Sequence, residues 1–252
     1  MTGVSQMELK KGFFSSGFYV GIFILTAAGI IGGWEFILYI LKTEMPEGQI
    51  KFLSAAYQLV CTDSFIFVLP IACTLAASSS YVEDVQNNLV YYVMLRTTRK
   101  DYRRSKVIWC GMFGIFITGI SILLILLISF ILFPVNPDEL NGTVLPGAMY
   151  YVTLLQKIII LLLNGSFFSL LGGMAASYSN NKYMAWSAPF IFYYVISTLA
   201  DAYFSDFYLL NPREWILNQR SSPWAVICIL LVLNVTVGAA YSGIIEGSWK
   251  NE

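Results

Sequence analysis

Six long apolar segments constrain this chain more than any other feature of its 252 residues. Each segment approaches or exceeds the roughly 20 mainly apolar residues that a helix needs to cross a bilayer. A segment in lipid must satisfy its own backbone hydrogen bonds, which favours a helix. Hydrophobic residues make up 57% of the chain and charged residues 12%, about half the charged fraction of a soluble domain. We therefore predict an all-α membrane protein, a single transmembrane domain over 1–252, with spans near 17–41, 54–79, 107–134, 150–178, 183–201 and 223–245.

A run of cations sets the orientation of these spans. Six Lys and Arg residues lie directly before the third span, and loops rich in these residues remain on the cytoplasmic side of a membrane. The segment 80–106 is therefore predicted to be cytoplasmic, and an even number of spans places both termini there too. The 135–149 loop has no Lys or Arg and is predicted to lie outside. The basic segment consists of Arg96, Arg99, Lys100, Arg103, Arg104 and Lys106.

The same polar segment begins with the signature of a helix outside the membrane. Ser80 and Glu83 have the spacing of a capping box, in which each side chain satisfies a backbone N–H group of the first turn. Apolar residues then recur at helical spacing and leave the polar residues on the rest of the circumference. We predict an amphipathic helix over 82–95. Its apolar stripe is formed by Val82, Val85, Leu89, Tyr92 and Val93.

Two further segments are predicted to lie at the membrane surface. Residues 7–16 combine charge with Phe13 and Phe14, which indicates a short interfacial helix; the alternative is an ordinary charged flank. Residues 201–224 are too apolar for a solvated loop and are interrupted at Asn211 and Pro212. This pattern predicts two short helices that dip into the outer leaflet, with an interfacial aromatic belt as the alternative.

Several function classes lack the residues that they need. The chain contains no histidine and no serine in a nucleophile elbow, so we do not predict an enzyme. It also contains no Gly-Lys pair for a phosphate-binding loop, so any ATP that drives it binds to another chain. The four cysteines have no paired spacing and are predicted to be packing residues rather than disulfide or metal ligands. A net charge of zero, with the cations gathered before a span, does not fit nucleic-acid binding.

Three ionisable residues fall inside predicted spans, where charge is costly and is commonly functional. These are Glu35, Asp63 and Lys157, each roughly 10–15 Å below the outer end of its span at about 1.5 Å per residue. Either they line a polar cavity open to the outside, or they are structural. In the structural alternative Lys157 and Glu35 reach the interface, with an Asp63–Lys157 pair at most.

In layout the chain resembles the small six-span permease subunits of bacterial type-2 ABC exporters. The most specific part of the resemblance is local. That family has an acidic residue after the second span, then a coupling helix, then a basic segment R-x-x-Y-x-x-x-K. The matching residues here are Glu83, the helix over 82–95, and Arg99, Tyr102 and Lys106. The glycine that the family often has after the acidic residue is replaced by Asn87 or Asn88.

The resemblance implies a coupling role for Glu83, Val85, Leu89, Tyr92 and Val93, which would dock on a separate ATPase dimer. ATP and Mg²⁺ would bind to that partner, and this chain would hold no cofactor or metal. Two permease chains, identical or related, would enclose a pathway for an amphipathic cargo such as a bacteriocin, a lantibiotic or a drug-like molecule. The location would be the bacterial plasma membrane. A scaffold or immunity protein that sequesters a peptide without ATP, and a secondary transporter, are the alternatives.

Overall fold

The computed structural model describes residues 3–42, 51–133, 148–203, 209, 211–217 and 221–248, and every regular element in that part of the chain is a helix. This confirms the all-α part of the predicted fold class for the described residues. The predicted outer loop at 135–149 lies almost wholly outside the described residues. The helices are α1 (Gly3–Phe13), α2 (Ser16–Gly32), α3 (Trp34–Lys42), α4 (Lys51–Val60), α5 (Asp63–Ala72), α6 (Ser80–Gln86), α7 (Leu89–Met94), α8 (Arg99–Leu132), α9 (Ala148–Ser179), α10 (Met184–Tyr203), α11 (Pro212–Leu217) and α12 (Pro223–Ser248).

Three of these helices, α8, α9 and α12, are each long and apolar enough to cross a membrane. Two pairs of shorter helices are long and apolar enough only when each pair is taken together. Helix α1 is bent against α2 by 51°, and α4 is bent against α5 by 60°. The described residues therefore contain three candidate spans, or five if each bent pair is one span. The predicted fifth span is α10, which is long enough but carries Tyr193, Tyr194 and Asp201 in place of apolar residues. These helices indicate a membrane-embedded protein.

The predicted second span, 54–79, is not one helix. Thr62 interrupts it by donating to the Leu59 carbonyl at 2.9 Å and capping α5 through the Phe65 N–H at 3.4 Å. Helix α5 ends two residues after Pro70, and residues 73–79 form turns. Hydroxyl groups in these turns bond to other helices, as when Ser78 donates to the Ser169 carbonyl at 2.9 Å. Serine and threonine side chains therefore compete with the helix that hydropathy alone predicts.

Glycine residues bring the central helices α8 and α9 together. A Cβ atom added at Gly114 of α8 would overlap the Gly165 carbonyl of α9, and one added at Gly165 would overlap Thr118. The two backbones are thus in direct contact, which small residues permit in membrane helices. Helix α9 also packs against α10 and α12, so it forms the centre of the bundle.

Helix α11 is the second of the two short helices predicted between the last spans. Its Trp215 and Ile216 are buried in the bundle, and the Trp215 ring packs edge-on against Phe167 of α9 at 5.8 Å between ring centroids. The predicted first helix falls mostly on 204–210, where only residue 209 is described. At the N-terminus, α1 (Gly3–Phe13) corresponds to the predicted short helix over 7–16.

Candidate functional site

The segment predicted as one coupling helix over 82–95 is two short helices. Helix α6 ends at Gln86, and Asn88 takes a left-handed conformation with φ 56° before α7 begins. Asparagine adopts this conformation more readily than most residues, and glycine adopts it most readily of all. The Asn87-Asn88 pair thus marks a turn between α6 and α7. The single helix is therefore a wrong prediction.

The predicted capping box is also wrong. Ser79, not Ser80, precedes α6, and its hydroxyl donates to Glu83 at 2.7 Å. The Ser80 hydroxyl instead accepts from Lys106 at 2.7 Å and donates to Glu8 at 3.2 Å. Contacts with other helices therefore replace the local cap at this helix start.

The apolar stripe divides between the two helices. On α6, Val82 is 1% exposed and packs in the bundle, with Val85 packed beside it. On α7, Leu89 is exposed and Tyr92 is 64% exposed, while Val93 is partly buried. The face of α6 is thus already covered, and α7 carries the part that is open to a partner.

The basic segment divides in the same way. Thr98 caps α8 by accepting from the Asp101 N–H at 3.2 Å, so most of the cations lie on the first turns of that helix. Arg103 pairs with Glu246 at the end of α12, and Lys106 is 2% exposed. Lys106 is therefore buried, and its placement with the other cations of the basic segment is a wrong prediction. The exposed cations are Arg96, Arg99, Lys100 and Arg104.

Lys106 is the centre of a buried group of charges that joins three helices. Its ammonium lies 2.5 Å from Asp84 of α6 and 2.9 Å from Glu8 of α1. The Tyr102 hydroxyl, one turn before Lys106, donates to Asp84 at 2.9 Å. Lys11 of α1 approaches the other oxygen of Asp84 at 2.7 Å. We call Glu8, Lys11, Asp84 and Lys106 the ion cluster.

The ion cluster favours the charged form of Asp84. Burial raises the pKa of Asp84, but the charges and hydrogen bonds of Lys106 and Lys11 outweigh it, so this pKa lies below its usual value of 3.8. A buried carboxylate is tolerated only when it is paired and hydrogen-bonded in this way. The cluster therefore fixes the positions of α1 and α6 against α8.

Sequence reasoning assigned no role to Glu8, Lys11 or Asp84. Glu8 and Lys11 fall within the 7–16 segment, which was predicted as a short interfacial helix or a charged flank, and Asp84 falls within the predicted helix over 82–95. The one usable signal was the four-residue spacing of Tyr102 and Lys106, which places both side chains on one face of a helix. Which helices that face would meet is a tertiary property.

Contacts from α9 and α12 complete this end of the bundle, which we call the basic end. Tyr81 of α6 and Ser248 of α12 share a hydrogen bond of 2.7 Å between their hydroxyls. Gln86 donates to the Asn180 carbonyl after α9 at 3.5 Å. A cavity of about 820 Å³ lies between α7 and the ends of α9 and α12. The basic end thus joins α6 to α9 and α12, which are two of the candidate membrane spans.

The three charges predicted inside spans do not meet. Asp63, at the start of α5, pairs with Arg213 of α11 at 2.8 Å, and its side chain is 76% exposed. Lys157 donates to the Ile216 and Leu217 carbonyls at the end of α11. Glu35 is exposed in the first turn of α3. A direct Asp63–Lys157 pair is therefore a wrong prediction, and both residues anchor α11 instead.

Comparisons of the chain with protein-family models, with curated proteins and with solved structures gave no match. Its function is therefore inferred from the geometry of its own side chains.

Proposed function

We propose that the chain is the permease subunit of an ATP-driven type-2 ABC exporter in a bacterial plasma membrane. Six spans are formed by α2 with α3, by α4 with α5, and by α8, α9, α10 and α12, with both termini in the cytoplasm. Two permease chains, identical or related, enclose the pathway. The cargo is an amphipathic molecule such as a peptide. A separate ATPase dimer binds ATP and Mg²⁺ and supplies the energy.

The observation that supports this proposal is an exposed surface with apolar and basic parts, on α7 and the start of α8. Four large apolar side chains, 42–71% exposed, stand next to four exposed cations. Contiguous exposed apolar side chains with a polar rim are typical of an interaction site. We call this the docking surface. It consists of Leu89, Tyr91, Tyr92, Leu95, Arg96, Arg99, Lys100 and Arg104.

The connection of α7 to the bundle suits a coupling element. Helices α6 and α7 have seven and six residues, which is too short for either to be stable alone. Their orientation depends on the ion cluster and on the contacts to α9 and α12. A force applied to α7 by a partner is therefore transmitted to α1, α8 and α12 together, and through them to the membrane.

The proposal is tested by purifying the tagged full-length chain in mild detergent from membranes of its own host and measuring MgATP hydrolysis by the eluate. The wild-type eluate is expected to hydrolyse ATP. Leu89→Asp with Tyr92→Asp places two charges on the docking surface and is expected to abolish the bound ATPase activity. Helix packing should be unaffected because both side chains are exposed.

A matched control is Tyr178→Asp, which changes an aromatic residue that is 84% exposed near the end of α9. This variant should retain the ATPase activity of the eluate. Equal activity in the double variant and the control would refute the docking surface. An inactive wild-type eluate would refute the ATP-driven exporter.

A further inference from the structure

A cavity of about 530 Å³ lies at the bend between α1 and α2, beside the ion cluster. We call it the elbow cavity. Its volume is within the range of small-molecule sites, which are typically about 300–1,000 Å³. It shares no residue with the docking surface, so a ligand could bind here whether or not the chain is an exporter.

One wall of the elbow cavity is formed by charged side chains. Glu8, Lys11, Glu83 and Lys106 line the cavity, and Asp84 pairs with both of these lysines. The connected group has three carboxylates, on Glu8, Glu83 and Asp84, and two ammonium groups, on Lys11 and Lys106. Three negative charges against two positive charges leave one negative charge in excess. An ammonium group of a ligand would be attracted to this excess.

One carboxylate oxygen of Glu8 at this wall is paired with a cation but accepts no hydrogen bond among the described residues. An ammonium group has three N–H donors. The ammonium of Lys106 donates to the Ser80 hydroxyl at 2.7 Å, to Glu8 Oε2 at 3.0 Å and to the Ser80 carbonyl at 3.4 Å, and it also pairs with Asp84 at 2.5 Å. Glu8 Oε1 lies 2.9 Å from the same ammonium but accepts no hydrogen bond among the described residues. Since Glu8 is 4% exposed, a ligand with N–H donors would satisfy this oxygen.

The cavity is also lined by a donor and by apolar side chains. Trp186 Nε1 is buried and has no hydrogen-bond partner among the described residues. Phe113 and Trp109 are large apolar residues of the lining. On the α2 side the cavity reaches Val20, which is 46% exposed and adjoins Phe23, 74% exposed. Exposed apolar residues on a membrane helix face lipid chains, so the cavity opens toward the bilayer.

We propose that the elbow cavity binds the headgroup of an amphiphile that carries a primary ammonium, with phosphatidylethanolamine as the membrane source. Glu8 Oε1 accepts from the ammonium, the Trp186 N–H donates to a phosphate oxygen, and the lipid chains lie along α2. A lipid held here contacts α1, α2 and the ion cluster at once.

The test uses native mass spectrometry of the delipidated full-length chain with added phosphatidylethanolamine or phosphatidylcholine of identical acyl chains. Trimethylation removes every N–H donor from the headgroup, so phosphatidylcholine is expected to bind roughly tenfold more weakly. Glu8→Gln should remove this preference, and Trp186→Phe should weaken the binding of phosphatidylethanolamine. Glu35→Gln, an exposed carboxylate on α3, is the matched control and should change neither.

A second variant keeps the proposal testable if Glu8→Gln does not fold. Ala76→Phe places a ring in the cavity and leaves every residue of the ion cluster unchanged, and it should abolish selective binding. Dodecylammonium is the probe that distinguishes a membrane lipid from a free amphiphile. If the chain binds dodecylammonium but does not bind phosphatidylethanolamine, the ligand is a free cationic amphiphile and the lipid assignment is wrong. Equal binding of both lipids by the wild type, unchanged by Ala76→Phe, would show a cavity filled by water and overturn the proposal.

Discussion

Replacing Lys106 with Met is the most direct test of the ion cluster. Methionine has a similar length and is also unbranched, so the change removes the charge and keeps most of the packing. Glu8 would then stay in a buried position without the cation that it contacts. Asp84 is affected less, because Lys11 at 2.7 Å and the Tyr102 hydroxyl at 2.9 Å remain.

The expected magnitude follows from that difference. Removing one partner of a buried ion pair costs about 3–5 kcal/mol, because the other partner is left uncompensated. We expect a loss in this range for Lys106→Met. In the double variant Glu8→Gln with Lys106→Met no buried carboxylate lacks a cation, and replacing a whole buried pair by neutral groups is often close to neutral. The double variant should therefore recover most of the loss.

Equilibrium unfolding in mixed micelles, followed by circular dichroism as the fraction of denaturing detergent rises, measures both variants. Arg104→Met is the matched control, since Arg104 is exposed on the same helix two residues earlier. An exposed substitution of this kind should change stability by no more than about 0.5 kcal/mol. The reasoning is refuted if Lys106→Met behaves like the control, or if adding Glu8→Gln causes a further loss.

Two further predictions concern other charges. Because the pKa of Asp84 is lowered below 3.8 in the folded protein, the folded state binds fewer protons than the unfolded state in this range. The stability from Asp84 is therefore complete above about pH 4 and is lost as the pH falls through the folded pKa; Asp84→Asn should flatten this acid limb in a melting series. At the end of the bundle away from the ion cluster, Asp63→Asn should lower the free energy of unfolding by less than about 1 kcal/mol, because its pair with Arg213 is exposed. Lys157→Met should cost more, about 1–3 kcal/mol, by leaving the last α11 carbonyls without a donor; equal large costs would indicate the direct Asp63–Lys157 pair.

The long helices could be read from the sequence because their signal is local. Helix α9 was predicted over 150–178 and is found at Ala148–Ser179, and α12 was predicted over 223–245 and is found at Pro223–Ser248. Each is mainly apolar over more than 20 residues and has no proline after its first residue, so the sequence alone predicts one long helix. Helix α8 begins at Arg99, before its predicted start at 107, because Thr98 supplies a cap within the polar segment.

The second predicted span failed for the opposite reason. Its residues are apolar enough for a helix, but two hydroxyl groups interrupt it. Thr62 donates to the Leu59 carbonyl, and Ser78 donates to the Ser169 carbonyl of α9. Hydropathy does not register where a hydroxyl bonds. The same limit applies to Lys106, which differs from Arg104 only in which face of α8 it occupies. The sequence places both in one basic segment, whereas packing against α1 and α6 buries one and exposes the other.

A buried ion cluster is not the most stable way to join three helices. Apolar side chains of similar volume would avoid the desolvation of four charged groups and are often equally stable or more so. What charges add is direction, because each hydrogen bond of Lys106 holds at one distance and one angle, whereas apolar contacts tolerate sliding. Helices α6 and α7 are too short to hold an orientation by themselves. If α7 presents Leu89 and Tyr92 to the proposed ATPase partner at a fixed angle, it gains more from directional contacts than from additional apolar area, and this would explain why the junction is built from charges.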